Sequence, residues 1–133
     1  MDNGTSSSRS TKKLGVGIIG VGLMGKTHAT NLVTRIPNAR LVGIADANMA
    51  LANSVGSDLG VSDTYADYRQ LLKNPKVEAV IVATPSFAKL ELVTAALESG
   101  KSVFCEKPLC VTLDDADNLV RASEKAHVAF QMG

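Results

Sequence analysis

Ala79-Val80-Ile81-Val82-Ala83 is apolar without a break, and such runs alternate along this chain with segments of helical periodicity. A strand that is apolar at every position has no solvent face, so it belongs in a sheet covered on both sides. Strands are expected at 14–19, 40–45, 77–83, 102–105 and 128–132, with a short third one at 61–64. Helices are expected between them at 24–35, 48–59, 67–73, 86–99 and 112–126. Gly60 and Gly100 stand just past two of these helices, Asn74-Pro75 stops another, and Thr112, with Asp115 three residues on, is an N-cap. The helix at 86–99 is expected to turn Phe87, Leu90, Val93 and Leu97 inward, and the one at 112–126 to turn Leu113, Ala116, Leu119 and Val120 inward. Strands alternating with helices, joined by right-handed crossovers, make a doubly wound α/β domain with a six-stranded parallel sheet.

The 133 residues suffice for one such domain with its own core, read as residues 14–133. Residues 1–13 are polar and Ser-rich with no apolar h-region, and read as a disordered tail rather than a signal peptide. Asp2 and the shortness of this stretch speak against a transit peptide. A net charge of +1 gives no field to attract nucleic acid or an anionic membrane, so neither is expected as a partner. No apolar run approaches the ~18 residues that span a bilayer. Cys105 and Cys110 have no second cysteine pair and no nearby His, so no metal site is expected; two free thiols suit a reducing, cytoplasmic setting.

The first apolar run leads into Gly20-Val21-Gly22-Leu23-Met24-Gly25-Lys26-Thr27, which satisfies two patterns at once. Gly20-x-Gly22-x-x-Gly25 is a dinucleotide fingerprint: Gly20 for the tight turn, Gly22 for close approach to a pyrophosphate, Gly25 for packing of helix on strand. The N–H groups of the first helical turn then face the phosphates. Gly20-x4-Gly25-Lys26-Thr27 is equally a P-loop, with Lys26 for the phosphates and Thr27 for Mg²⁺ of a nucleoside triphosphate. The dinucleotide pattern calls for an acidic residue about 20 positions further on. Asp46 stands 21 residues after Gly25, at the tip of the second strand. A carboxylate there accepts from ribose hydroxyls and repels a 2′-phosphate, which predicts NAD over NADP. Against this, the P-loop pattern leaves Gly22 without a role.

Ligands of an open parallel sheet lie beyond the carboxyl ends of its strands. Thr84 and Pro85 sit there, just after Ala83 ends the fourth strand, beside the expected nicotinamide half, and also make an ordinary strand-to-helix turn with Ser86 as cap. Glu106-Lys107-Pro108 follows the fifth strand at the same edge. A lysine at that mouth can donate a proton to a reacting oxygen, with Glu106 orienting it and Pro108, in a cis peptide or otherwise, fixing the backbone.

Together, Gly20-Val21-Gly22-Leu23-Met24-Gly25 with His28-Ala29, Ala83-Thr84-Pro85 and Val103-Phe104-Cys105-Glu106-Lys107-Pro108-Leu109 resemble the glucose–fructose oxidoreductase, inositol dehydrogenase and rhizopine catabolism family. The resemblance runs from about Lys13 to Gly133, spacing included, and displaces the P-loop alternative. It implies the nucleotide-binding Rossmann domain of an NAD(P)-dependent oxidoreductase acting on a sugar or polyol, closest to inositol-dehydrogenase-like members. By the same resemblance Lys107 is the catalytic lysine and Gly20, Gly22, Leu23, Met24, Gly25, Asp46, Ala83, Thr84, Pro85, Glu106 and Lys107 contact the cofactor. His28 matches a family histidine with a structural or cofactor-adjacent role. Many members carry a His five residues after the Thr of the Thr-Pro turn; here that position is Lys89. His127 falls at a helix end and reads as a capping residue. The family's second α/β domain, which supplies substrate contacts and oligomer interfaces, has no counterpart in these residues, so the expectation is NAD binding without efficient turnover by this chain alone. Homo-oligomers are expected if that domain is present. The competing expectation is a non-catalytic, truncated NAD-binding module.

Overall fold

The computed structural model describes residues 12–133, so most of the expected tail at 1–13 lies outside the described residues. Six strands, β1 (Leu14–Ile19), β2 (Ala39–Ala45), β3 (Thr64–Tyr65), β4 (Ala79–Val82), β5 (Ser102–Cys105) and β6 (Phe130–Met132), form one parallel sheet in the order β3-β2-β1-β4-β5-β6. The helices α1 (Leu23–Thr34), α2 (Met49–Leu59), α3 (Tyr68–Leu72), α4 (Lys89–Glu98) and α5 (Leu113–Lys125) fill the crossovers. The order reverses between β1 and β4, which pair through Val16–Ala79, Gly17–Val80, Ile18–Ile81 and Ile19–Val82. A crevice opens beyond the strand ends at such a reversal.

Period-2 alternation sends side chains to two cores. Val16, Ile18 and Ile44 meet Ala29 and Leu32 of α1 and Ala52 and Val55 of α2 on one face. Ile19, Val80, Val82 and Val103 meet Leu71 of α3, Val93 and Leu97 of α4 and Leu119 of α5 on the other. Double coverage is why β1, β2 and β4 read as continuous apolar runs. Local signals set the helix ends. The Asn48 and Thr112 side chains accept from the Leu51 and Asp115 N–H groups, and Asp67 accepts from that of Arg69. Gly60 closes α2 in the left-handed region at φ 73°.

Four expectations need correction. The third strand is Thr64–Tyr65, not 61–64, because the Val61 N–H donates to the Gly56 carbonyl and completes the end of α2. The helix expected from 86 begins as a 3₁₀ turn over Ser86–Ala88, and neither it nor α4 has a side-chain cap, so Ser86 is no cap. Phe87, in the 3₁₀ turn, is exposed rather than inward, and Lys89 lies on the buried stripe with Leu92, Val93 and Ala96. On α5 only Leu119 is fully buried, while Leu113 and Val120 are exposed; the packed stripe runs through Leu119, Ala122 and Ala126. His127 lies beyond α5, is exposed, and makes no side-chain hydrogen bond to the described residues; the last turn closes through Ala126 N–H and the Ala122 carbonyl instead.

Candidate functional site

The carboxyl ends of β1, β2 and β4 border a cavity of about 680 Å³, whose lining includes Gly20, Gly22, Asp46, Thr84, Pro85 and Phe87. Each wall follows from backbone chemistry. Gly20 takes φ +92°, a conformation that L side chains rarely adopt, and its N–H donates to the Ala45 carbonyl. Gly25 lets α1 approach the turn so closely that a Cβ there would stand 1.8 Å from the Gly20 carbonyl oxygen. Gly22 is different, since a Cβ there would meet nothing within 4 Å. It N-caps α1 with no side-chain acceptor for the first-turn N–H groups, and no acidic residue stands in that turn.

Asp46, in the cavity wall, is held by backbone donors. One carboxylate oxygen accepts from the Val21 N–H at 2.9 Å and the other from the Asn48 N–H at 2.8 Å. Its own N–H donates to the Tyr65 carbonyl at 3.0 Å. The carboxylate therefore fastens the tip of β2 to the glycine turn, and each oxygen keeps a lone pair for a further donor. Across the crevice, the Thr84 hydroxyl is buried without a hydrogen-bond partner. The open space at Gly22, the uncapped start of α1 and this orphan hydroxyl are the features a bound dinucleotide would satisfy, so the residues present fit one. They do not form a P-loop: α1 already begins at Leu23, so Gly25, Lys26 and Thr27 lie inside the helix, where the Thr27 hydroxyl donates to the Leu23 carbonyl at 3.0 Å.

Glu106 and Lys107 follow β5 at the same sheet edge but outside the lining of this cavity. Leu23 and Met24, exposed at the start of α1, also lie outside it. The Lys107–Pro108 peptide is cis. Glu106 does not hold the Lys107 ammonium. Its carboxylate accepts from His28 Nε2 at 2.8 Å, with the Phe104 ring in a T-shaped contact with the imidazole, and from the Lys107 backbone N–H at 3.2 Å. The His28 hydrogen bond, aided by the Lys107 N–H, keeps the Glu106 carboxyl below the usual glutamate range despite partial burial. His28 thus couples α1 to the loop carrying Lys107. The Lys107 ammonium itself is exposed and has no hydrogen bond among the described residues. Below the loop, burial pushes the Cys105 thiol above its ordinary pKa.

Lys89 is the residue that motif reading missed. Its ammonium is buried and donates to the Glu106 and Pro108 carbonyls, on either side of Lys107. The signal was present in the helical spacing of Lys89 with Leu92, Val93 and Ala96, which puts the lysine on the apolar stripe. A larger groove of about 1360 Å³, between α4 and α5, holds none of the expected site residues. Among the described residues no three His, Cys, Asp or Glu side chains gather as a metal site, and no helix is long and apolar enough to cross a membrane.

Sheet order, crevice and glycine turn together define a dinucleotide-binding α/β domain. A family model described as "Oxidoreductase family, NAD-binding Rossmann fold" matches residues 14–133, and the chain belongs to that family. It is 34% identical over 116 residues to scyllo-inositol 2-dehydrogenase (NAD(+)) of Bacillus subtilis (strain 168), covering 87% of this chain and 34% of that protein. It is 41% identical over 113 residues to inositol 2-dehydrogenase/D-chiro-inositol 3-dehydrogenase of Shouchella clausii (strain KSM-K16), covering 84% and 32%. The crystal structure of scyllo-inositol dehydrogenase from Lactobacillus casei with bound cofactor NAD(H) and scyllo-inositol superposes with a TM-score of 0.86 at 31% identity, covering 92% of this chain and 36% of that one. The chain spans about a third of the length of the relatives it matches.

Proposed function

We propose that this chain is the NAD-binding portion of an oxidoreductase acting on a sugar or polyol of the inositol type. Bound nicotinamide would supply the hydride acceptor for a substrate carbinol. The backbone at Gly20, Gly22, Leu23, Met24 and Gly25 holds the pyrophosphate, Asp46 takes the adenosine ribose hydroxyls, and Ala83, Thr84 and Pro85 flank the nicotinamide half. Lys107 exchanges a proton with the reacting oxygen, on a loop whose backbone Glu106 helps to fix. Inositol dehydrogenases among the relatives, one solved with NAD(H) and scyllo-inositol, support this reading of substrate and cofactor.

The observation that carries the proposal is the Asp46 carboxylate, tied to the Val21 and Asn48 N–H groups at the cavity wall. A negative charge fixed there favours ribose hydroxyls and opposes a 2′-phosphate. Titration of the chain with NADH, NADPH and ATP·Mg²⁺ under one set of conditions tests it. NADH is expected to bind tightest, and Asp46→Ser to narrow its advantage over NADPH by about tenfold, roughly 1.4 kcal/mol. An unchanged preference in Asp46→Ser would remove Asp46 from the role, and tight ATP·Mg²⁺ binding without NADH binding would overturn the cofactor assignment.

A further inference from the structure

Lys89, 1% exposed, is the one charged side chain buried in the core among the described residues, and it forms no ion pair there. An ammonium taken out of water without a carboxylate partner is retained only where strong acceptors surround it. Here the acceptors are the carbonyls of Glu106 and Pro108, the residues that bracket Lys107. The Cys105 thiol also donates to the Glu106 carbonyl, at 3.5 Å. On the other side of the loop, the Lys107 N–H donates to the Glu106 carboxylate, whose second oxygen is held by His28. The backbone around Lys107 is thus gripped from the core while its side chain stays exposed. An ammonium has three donors and can hold two carbonyls at once, whereas a neutral imidazole has a single N–H donor.

We infer that Lys89 is a positioning residue: by clamping the carbonyls on both sides of Lys107, it sets where the Lys107 ammonium stands relative to the cofactor. The inference rests on the proposal that Lys107 lies beside the nicotinamide. Its test is the rate at which a small acylating reagent modifies Lys107, read by peptide mass spectrometry with and without saturating NADH, with Lys125 on α5 as the reference. In the unaltered chain NADH slows acylation at Lys107 and not at Lys125. Lys89→Met is expected to keep NADH affinity within about tenfold, because Asp46 and the glycine turn are untouched, yet to lose the protection of Lys107. Lys89→Arg, which retains several donors, keeps the protection. Unchanged protection in folded Lys89→Met, or equal loss in the Met and Arg variants, refutes the clamp. Absence of protection in the unaltered chain instead refutes the placement of Lys107, and the inference falls with it. Should Lys89→Met not fold, Lys89→Gln is read in the same way: loss of protection supports the clamp and wild-type protection overturns it.

Discussion

Gly22 and Gly25 stand three residues apart, yet an added methyl meets opposite surroundings at the two positions. At Gly25 it would run into the Gly20 carbonyl at 1.8 Å, so α1 would have to move off the turn. At Gly22 it meets nothing within 4 Å and projects from extended backbone at φ −67°. Gly25→Ala is therefore expected to destabilise the fold by about 1–3 kcal/mol, as overpacking does. Gly22→Ala is expected to leave stability within about 0.5 kcal/mol while weakening NADH by about tenfold or more. Urea melts and NADH titrations on both variants measure the two effects separately, and a Gly22→Ala variant that binds NADH normally would argue against a pyrophosphate at that turn. Such glycines are legible in sequence because they fall at fixed spacing within one short turn: Gly20 takes φ +92° and Gly25 abuts its carbonyl. Asp46 was legible for a related reason, since a strand tip has a countable distance from the turn. Lys89 was legible in its spacing with Leu92, Val93 and Ala96, but a charged side chain on an apolar stripe is expected to reach for water, and its acceptors at Glu106 and Pro108 lie far along the chain.

Among the elements, α3 is only five residues long and depends on its neighbours for its place. One tie is the Tyr68 hydroxyl, which donates to Glu91 of α4 at 2.7 Å, with Arg69 reaching the same carboxylate at 3.2 Å. Burial, and then the bond to Glu91, push the Tyr68 phenol up to about 12. In the unfolded chain the phenol ionises near its ordinary value of about 10. Between those values the unfolded chain has released the proton and the folded one has not, so this contribution to stability is whole below about pH 10 and declines as pH rises toward 12. Tyr68→Phe is expected to flatten the alkaline fall in melting temperature, and a spectrophotometric titration to lose its late-ionising phenol. A titration in which no tyrosine of the unaltered chain ionises late would count against the Tyr68–Glu91 tie. Helices with polar caps at Asn48, Asp67 and Thr112 had ends close to those expected, because a cap and its first turn are neighbours in sequence. The third strand was displaced because Val61 is taken by the close of α2 on the Gly56 carbonyl, and the inward face of α5 because its rotation is set by packing on α4, a partner outside its own sequence.

For the molecule as a whole, the alternation of fully apolar strands with helices was enough to foresee a doubly wound parallel sheet, since such strands need cover on both faces and six of them are too few for a closed eight-stranded barrel. The edges were less predictable. β6 pairs only with β5 among the described residues, and Gln131 and Met132 on it are exposed. An unpaired parallel edge of this kind invites another strand. The 133-residue chain is expected to associate reversibly as its concentration rises, and Gln131→Lys to reduce this, with sedimentation velocity over a concentration series as the measure. Concentration-independent sedimentation of the unaltered chain would exclude the edge as an association site. At the middle of the sheet, the reversal of strand order has a different consequence. Residues before α3 build β1, β2 and β3, those after it build β4, β5 and β6, and in the sheet the two sets meet only along the four residue pairs of β1 and β4. Asp46 belongs to the first set and Thr84 to the second. A molecule lodged between them would act as a rivet through that seam, and a backbone nicked at the exposed Pro75 or Lys76 would still have a reason to stay in one piece.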